Sequence, residues 1–209
     1  MRLAWFTPLP PQRSGISAYS AELLPLLAPK HAIDVVTAPG TTAERPHPLV
    51  DVVDLWEFQR RHLRHPYDGV VYQLGNAPCH DYMWPALVRY PGLVVLHDGQ
   101  LHHARARALL RHGRRDDYRA EFAANHPEAP RDLPEFVVNG LQGSPYFLWP
   151  MRRLVIEQAA LVAVHSLPLA ELLRAEHPDC QVRHIPMGVP STPSTRPVME
   201  EARSGQAPS

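Results

Sequence analysis

Short apolar segments alternate along this chain with segments in which apolar residues recur at helical spacing, and this alternation constrains the fold more than any other feature. Segments typical of strands span residues 2–6, 32–37, 69–74, 92–96, 160–164 and 182–185. Helical spacing covers residues 14–28, 80–89, 99–125, 147–158 and 168–176. A break is expected near Gly113 within 99–125. The segment 50–63 is mixed and is predicted to end in a helix. Strands alternating with helices predict a mostly parallel sheet covered on both faces, which is a three-layer α/β domain.

The domain is expected to occupy residues 1–190. Residues 126–145 form a proline-rich excursion within it. After Pro190 the chain reads STPSTRPVMEEARSGQAPS, which has almost no apolar content. Such a composition cannot bury enough apolar surface to fold, so 191–209 is predicted to be a disordered tail or a truncated linker.

Charge and cysteine content exclude several classes of protein. The chain has 21 Lys and Arg against 21 Asp and Glu, and this balance argues against a nucleic-acid binder. The two cysteines, Cys79 and Cys180, form no metal-binding pair of the C-x-x-C type. The first residues do not read as a signal peptide, and no stretch of about 18 apolar residues is present, so a cytoplasmic protein is expected.

Polar residues follow four of the predicted strands. Because the carboxyl ends of parallel strands meet at one edge of a sheet, which is where ligands of such sheets bind, these residues are candidates for a site. An alternative is that turns simply require Gly, Asn and Ser. The candidates are Ser14-Gly15, Gly75-Asn76, His97-Asp98 and His165-Ser166.

The loop that contains Gly15 is the best candidate for anion binding. A glycine lets the backbone approach a ligand closely, and the N-terminus of the following helix presents unpaired N–H groups, with Ser14 or Ser17 as its cap. The chain contains neither G-x-G-x-x-G nor G-x-x-x-x-G-K-[ST]. The sequence therefore disfavours a nicotinamide dinucleotide site and P-loop chemistry.

His97-Asp98 is the candidate catalytic pair. A histidine at a strand end can hydrogen-bond a substrate hydroxyl or phosphate, and Asp98 could orient it or cap the next helix; the alternative is a buried structural histidine. His102 and His103 follow closely, but without an H-E-x-x-H pattern no metal site is expected. The arginines at 105, 107, 111, 114 and 115 suit a solvated helix face, or else contact with an acidic lipid surface or a phosphorylated acceptor.

Three segments together resemble the N-terminal domain of family 4 glycosyltransferases, which are retaining enzymes of the GT-B fold. They are TPLPPQRSGISAYSAELLPLL, YQLGNAPCHDYMWPALVRYPGLVVLHDGQLHH and AALVAVHSLPLAELLRAEHPDCQVRHIPMGVP. The resemblance covers residues 1–190 and implies a Rossmann-like domain that forms one half of a GT-B fold.

The resemblance implies that Gly15 lies near the diphosphate of a nucleotide-sugar, that His97 lies near the transferred sugar, and that Gly75-Asn76 and His165-Ser166 line the cleft. It implies hexosyl transfer with retention to a glycan, a lipid-linked sugar or a small molecule, with the nucleotide-sugar as co-substrate and no cofactor or metal. Peripheral membrane contact is a further possibility.

The family's second domain supplies an Arg and Lys pair and a Glu-x7-Glu motif after the segment that is here Ile185 to Val189, in which Met187 replaces a histidine. Residues 191–209 contain no such motif. The expectation is therefore an acceptor-side domain that is inactive alone.

Two other functions stay open at this point. The chain could be a non-catalytic binding module, or half of a split enzyme that docks a separate donor domain. It could also be a different α/β enzyme, such as a hydrolase, that uses His97 and Asp98 as acid and base. The hydrolase would need a nucleophile, and the chain has Cys79 beside the Gly75-Asn76 loop but no G-x-S-x-G motif.

Overall fold

The computed structural model describes residues 1–188. The strands are β1 Arg2–Phe6, β2 Ala32–Val36, β3 Val50–Val53, β4 Gly69–Leu74, β5 Leu93–Leu96, β6 Leu161–Val164 and β7 Val182–His184. The helices are α1 Gly15–Leu27, α2 Leu55–Arg64, α3 Met83–Arg89, α4 His102–Leu110, α5 Arg115–Asn125, α6 Leu133–Val138, α7 Ser144–Leu148, α8 Arg153–Gln158 and α9 Leu167–Glu176, with a short 3₁₀ turn at Pro78–His80.

The strands form one seven-stranded sheet in the order β3-β2-β1-β4-β5-β6-β7, and every pair is parallel. The predicted α/β domain is therefore confirmed, with the strand order of a Rossmann-like fold. The chain runs outward from β1 through β2 to β3 and then returns to place β4 on the other side of β1. The strand order thus reverses between β1 and β4, and ligands of such sheets bind at the carboxyl ends of the strands where the order reverses.

The strands divide their side chains between two hydrophobic cores because successive side chains point to opposite faces of the sheet. Phe6 and Tyr72 pack on one face, against residues of α2, α3, α8 and α9. Trp5 and Val71 pack on the other face, against Leu24 of α1. A third, smaller core joins α4, α5 and α6 outside the sheet, around Tyr118 and Phe122.

Three segments differ from the sequence-based expectations. Val50–Val53 is a strand at the edge of the sheet, within a segment that was expected only to end in a helix. The proline-rich excursion contains α6 and the start of α7. The helix expected over 147–158 is wrong: α7 ends at Leu148 and α8 begins at Arg153. Pro150 has no backbone N–H and disfavours helical geometry at Trp149, and Met151 follows with a φ of 50°.

The break expected near Gly113 is confirmed, since this glycine separates α4 from α5 with a φ of 69°. The disordered tail expected over 191–209 lies outside the described residues. Across residues 1–188, none of the helices combines the length and the apolar character that crossing a membrane requires.

Candidate functional site

Gly15 begins α1 in open space. The hydroxyl of Ser14 accepts a hydrogen bond from the Ser17 N–H at 3.0 Å, so Ser14 is the N-cap that the sequence suggested. A Cβ added at Gly15 would meet no atom within 4 Å. Packing within the described chain therefore does not account for glycine at this position, and the first N–H groups of a 13-residue helix lie beside an unfilled space.

Gly75 and Asn76 have structural roles where they follow β4. A Cβ at Gly75 would lie 2.5 Å from Cδ1 of Ile16, so this glycine allows the loop after β4 to pack against the start of α1. The Oδ1 atom of Asn76 accepts a hydrogen bond from the Ala104 N–H at 2.8 Å. The amide oxygen thereby satisfies one of the unpaired donors in the first turn of α4.

His97 directly follows β5 and is oriented by a buried glutamine. Its backbone N–H donates to the carbonyl of Leu74 at 2.9 Å, and its Nε2 donates to Oε1 of Gln73 at 2.6 Å. Gln73 lies in β4 and is fully buried. This bond favours the tautomer in which Nδ1 of His97 is an acceptor. Burial, and to a lesser extent the neighbouring His165 and His80, lowers the pKa of His97 to about 4, so the ring is neutral at pH 7.

Asp98 stabilises the turn after β5. Its Oδ1 accepts a hydrogen bond from the Gln100 N–H at 2.8 Å. Within residues 1–188, no hydrogen bond joins Asp98 to His97, and Gln73 holds the imidazole instead. The arrangement suits a local turn cap better than an acid–base pair.

A cluster of three rings forms the centre of this edge of the sheet. The ring centroids of His97 and His165 are 5.1 Å apart, and Tyr19 of α1 lies 5.2 Å from His97 and 5.5 Å from His165. Nδ1 of His165 donates to the carbonyl of Ile185 at 2.9 Å, and Ser166 caps α9 through the Leu169 N–H at 3.4 Å. Nδ1 of His97 is thus left as an acceptor, whereas Nε2 of His165 is buried and has no hydrogen-bond partner among residues 1–188.

Tyr19 was not among the sequence-predicted site residues. It lies one turn after Gly15 on α1, and this spacing is the signal that could have found it. Burial raises the pKa of its hydroxyl, so it stays protonated at neutral pH.

The other histidines and the cysteines do not extend this site. His102 is buried in α4 with Nε2 2.7 Å from the Tyr118 hydroxyl, and His103 packs on Tyr146. No group of three or more potential metal ligands occurs in the part of the chain that the structure describes. Burial raises the pKa of the Cys79 thiol, which lowers its reactivity as a nucleophile.

The arginines around α4 do not share one environment. Arg105 is buried, with its Nε donating to Oε1 of Glu121 at 2.5 Å and its guanidinium 4.1 Å from the Trp84 ring centroid. Arg114 pairs with Asp117 on the surface at 2.7 Å. Arg105 therefore belongs to neither a solvated face nor a lipid-binding face.

The edge of the sheet can offer two kinds of contact to a ligand. The neutral imidazole of His97 can accept a hydrogen bond from a hydroxyl group, and the N–H groups that begin α1 can donate to an anion. Compared with known proteins, the chain matches no family model and no curated sequence.

Proposed function

We propose that this chain is the acceptor-side domain of a retaining glycosyltransferase, which moves a hexosyl group from a nucleotide-sugar to a glycan, a lipid-linked sugar or a small molecule. The observation that supports this proposal is the reversal of strand order between β1 and β4. Ligands of parallel sheets bind at such a reversal, and here the open Gly15 and the ring cluster lie at that edge.

In this proposal, the nucleotide-sugar is a co-substrate and its diphosphate lies against the start of α1. Charge develops on the diphosphate as the bond to the sugar breaks, and fixed N–H donors stabilise that charge. Gly15 leaves room for the phosphate oxygens. The domain carries half of the cleft, and a donor-binding domain supplies the other half.

His97 binds the sugar in this proposal. Its Nδ1 accepts a hydrogen bond from a sugar hydroxyl, and Gln73 keeps the ring in the tautomer that this contact requires. Because the imidazole is already neutral at pH 7, the contact needs no proton release.

A second candidate is half of a split enzyme, or a binding module, that docks a separate donor domain. Apolar side chains near His165 favour it. Leu167, Ile185 and Met187 are 48%, 43% and 54% exposed. Exposed apolar side chains that cluster on a surface often mark a protein interface.

The test is a titration of the ¹⁵N-labelled chain with a panel of nucleotide-sugars, monitored by amide chemical shifts. We expect weak binding that shifts the Gly15–Ser17 and His97 amides, and hexosyl transfer that is absent or very slow. His97→Ala should weaken binding, and the control His31→Ala, which precedes β2, should not.

Two results would contradict the proposal. If no nucleotide-sugar shifts these amides, the donor site is wrong. If the pure chain transfers or hydrolyses the sugar rapidly, a second domain is not needed. For the split enzyme, transfer should appear only when a separately expressed domain that carries Glu-x7-Glu is added.

A further inference from the structure

A groove of about 690 Å³ lies between α4 and the segment that carries α6 and α7. Asn76 lines one end of it, so the groove adjoins the carboxyl edge of the sheet. Its other lining residues include Arg107 and Arg111 of α4 and its C-cap, Val137 of α6 and Tyr146 of α7. Its volume is within the range of ligand-binding clefts.

The groove has an excess of positive charge. Arg107 and Arg111 are four residues apart and therefore share one face of α4. No carboxylate lines the groove, and within residues 1–188 neither arginine forms a salt bridge. The Nε–H of Arg107 is buried and finds no acceptor in the same described range. Asp81 lies close enough to Arg107 to interact with it electrostatically, but the two form no salt bridge. Two arginines without a salt-bridge partner favour an anionic ligand, such as a phosphate.

The lining of the same groove also includes apolar side chains. Val137, Val138 and Leu110 line it. His103 packs on Tyr146 with centroids 4.4 Å apart and on Phe147 at 5.4 Å. The α6–α7 segment also exposes large apolar side chains next to lining residues in the sequence, namely Phe136 at 51%, Leu141 at 49% and Phe147 at 61%. Apolar surface beside paired arginines fits a ligand with a charged head and a hydrocarbon chain.

We propose that this groove binds a single phosphorylated amphiphile, with the phosphate on Arg107 and Arg111 and the hydrocarbon chain along α6 and α7. Next to Asn76, such a molecule would be the acceptor of the transferred sugar. The acceptor role rests on the proposed function, but binding of the amphiphile does not.

The experiment measures binding of decyl phosphate to the full chain by calorimetry, below the concentration at which the amphiphile forms micelles. Decyl glucoside has the same hydrocarbon chain but no charge, and inorganic phosphate has the charge but no hydrocarbon chain. Binding of these two compounds is measured in the same way. We expect decyl phosphate to bind at least about tenfold more tightly than either.

Arg107→Gln and Arg111→Gln should each weaken decyl phosphate binding by about tenfold, the effect of losing one charged hydrogen bond. The matched control is the double variant Arg60→Gln, Arg64→Gln, which removes two arginines of α2 that are also four residues apart. It should leave the affinity for decyl phosphate unchanged. Phe136→Ser with Phe147→Ser keeps both arginines and should reduce decyl phosphate binding without affecting phosphate binding.

Three results would overturn the proposal. Equal affinities for inorganic phosphate and decyl phosphate would show that the groove binds the anion but not the hydrocarbon chain. Equal loss in the α2 control would show a general charge effect. Binding to phosphatidylglycerol vesicles without binding to monomeric decyl phosphate would show adsorption to a lipid surface instead of a groove for one molecule. None of these results depends on nucleotide-sugar binding, so failure here is distinguishable from failure of the proposed function.

Discussion

Glycine has different roles at different positions of this chain, and each role follows from the atoms around it. A Cβ atom at Gly15 would have nothing within 4 Å, one at Gly75 would meet the end of the Ile16 side chain, and one at Gly92 would overlap the carbonyl oxygen of Val70. A side chain can move aside, whereas a strand carbonyl cannot. The sequence places Gly15 and Gly75 in loops and Gly92 at the start of a strand, and only the packing separates the candidate ligand contact from the structural glycines.

Substitution of these glycines provides a test at the level of single residues. Gly92→Ala should lower the free energy of unfolding by about 2–3 kcal/mol, because its methyl group would overlap the backbone of β4. Gly15→Ala should change it by less than about 0.5 kcal/mol. Urea unfolding followed by circular dichroism measures both. If Gly15→Ala is as destabilising as Gly92→Ala, then Gly15 has a structural role and is not an open ligand contact.

Some secondary structure elements of this fold could be predicted from local sequence patterns, and others could not. Continuous apolar strands such as β5 and β6 are evident from sequence because both of their faces are buried. The edge strand β3 reads VDVV, and Asp51 interrupts its apolar run because that side chain pairs with Arg61 of α2. The short strand therefore has no periodicity of its own, and its pairing with β2 is a tertiary property.

The candidate site was predictable in its location but not in its chemistry. Buried strands predicted that residues 15, 76, 97 and 165 would meet at one edge. They could not predict that Gln73, an interior residue of β4, holds His97, or that Asn76 caps a helix 28 positions later. Both contacts join residues that are distant in sequence, so no local pattern encodes them.

The ion pair that joins α4 to α5 gives a test at the level of secondary structure elements. The Arg105 and Glu121 side chains are only 10% and 16% exposed. Glu121→Ala should lower the free energy of unfolding by about 2–4 kcal/mol, because it leaves a buried guanidinium without its partner.

The matched control for that test is Asp117→Ala. It breaks the Arg114 pair, whose side chains are each 57% exposed, and should cost less than about 1 kcal/mol. Thermal unfolding of both variants provides the comparison. If both variants lose a similar free energy of unfolding, then burial of the Arg105–Glu121 pair does not make it more important for stability than the exposed pair.

The stability of the whole molecule should depend on pH through its buried histidines. Burial lowers the pKa of His80, His97 and His102 to about 4, against 6.5 for an unperturbed histidine. Between these values the unfolded chain binds more protons than the folded chain, so the folded state loses stability as the pH falls from 6.5 towards 4.

We expect the free energy of unfolding to fall by about 1–2 kcal/mol per buried histidine as the pH is lowered from 7 to 5. Urea unfolding at several pH values measures this slope of stability against pH. His80→Gln should reduce the slope, whereas His65→Gln on the exposed surface should not. A stability that is constant from pH 7 to pH 5 would contradict this prediction.

The parallel sheet also fixes the order in which this edge can be assembled. In a parallel sheet no two neighbouring strands are joined by a short hairpin, so each pairing must close a long loop, which makes such topologies slow to fold. Tyr19 lies in α1 and His97 follows β5, but His165 follows β6, near the end of the described chain. During synthesis the ring cluster is therefore incomplete until most of the domain has left the ribosome, and the nascent protein cannot engage a ligand through this cluster before its core is nearly whole.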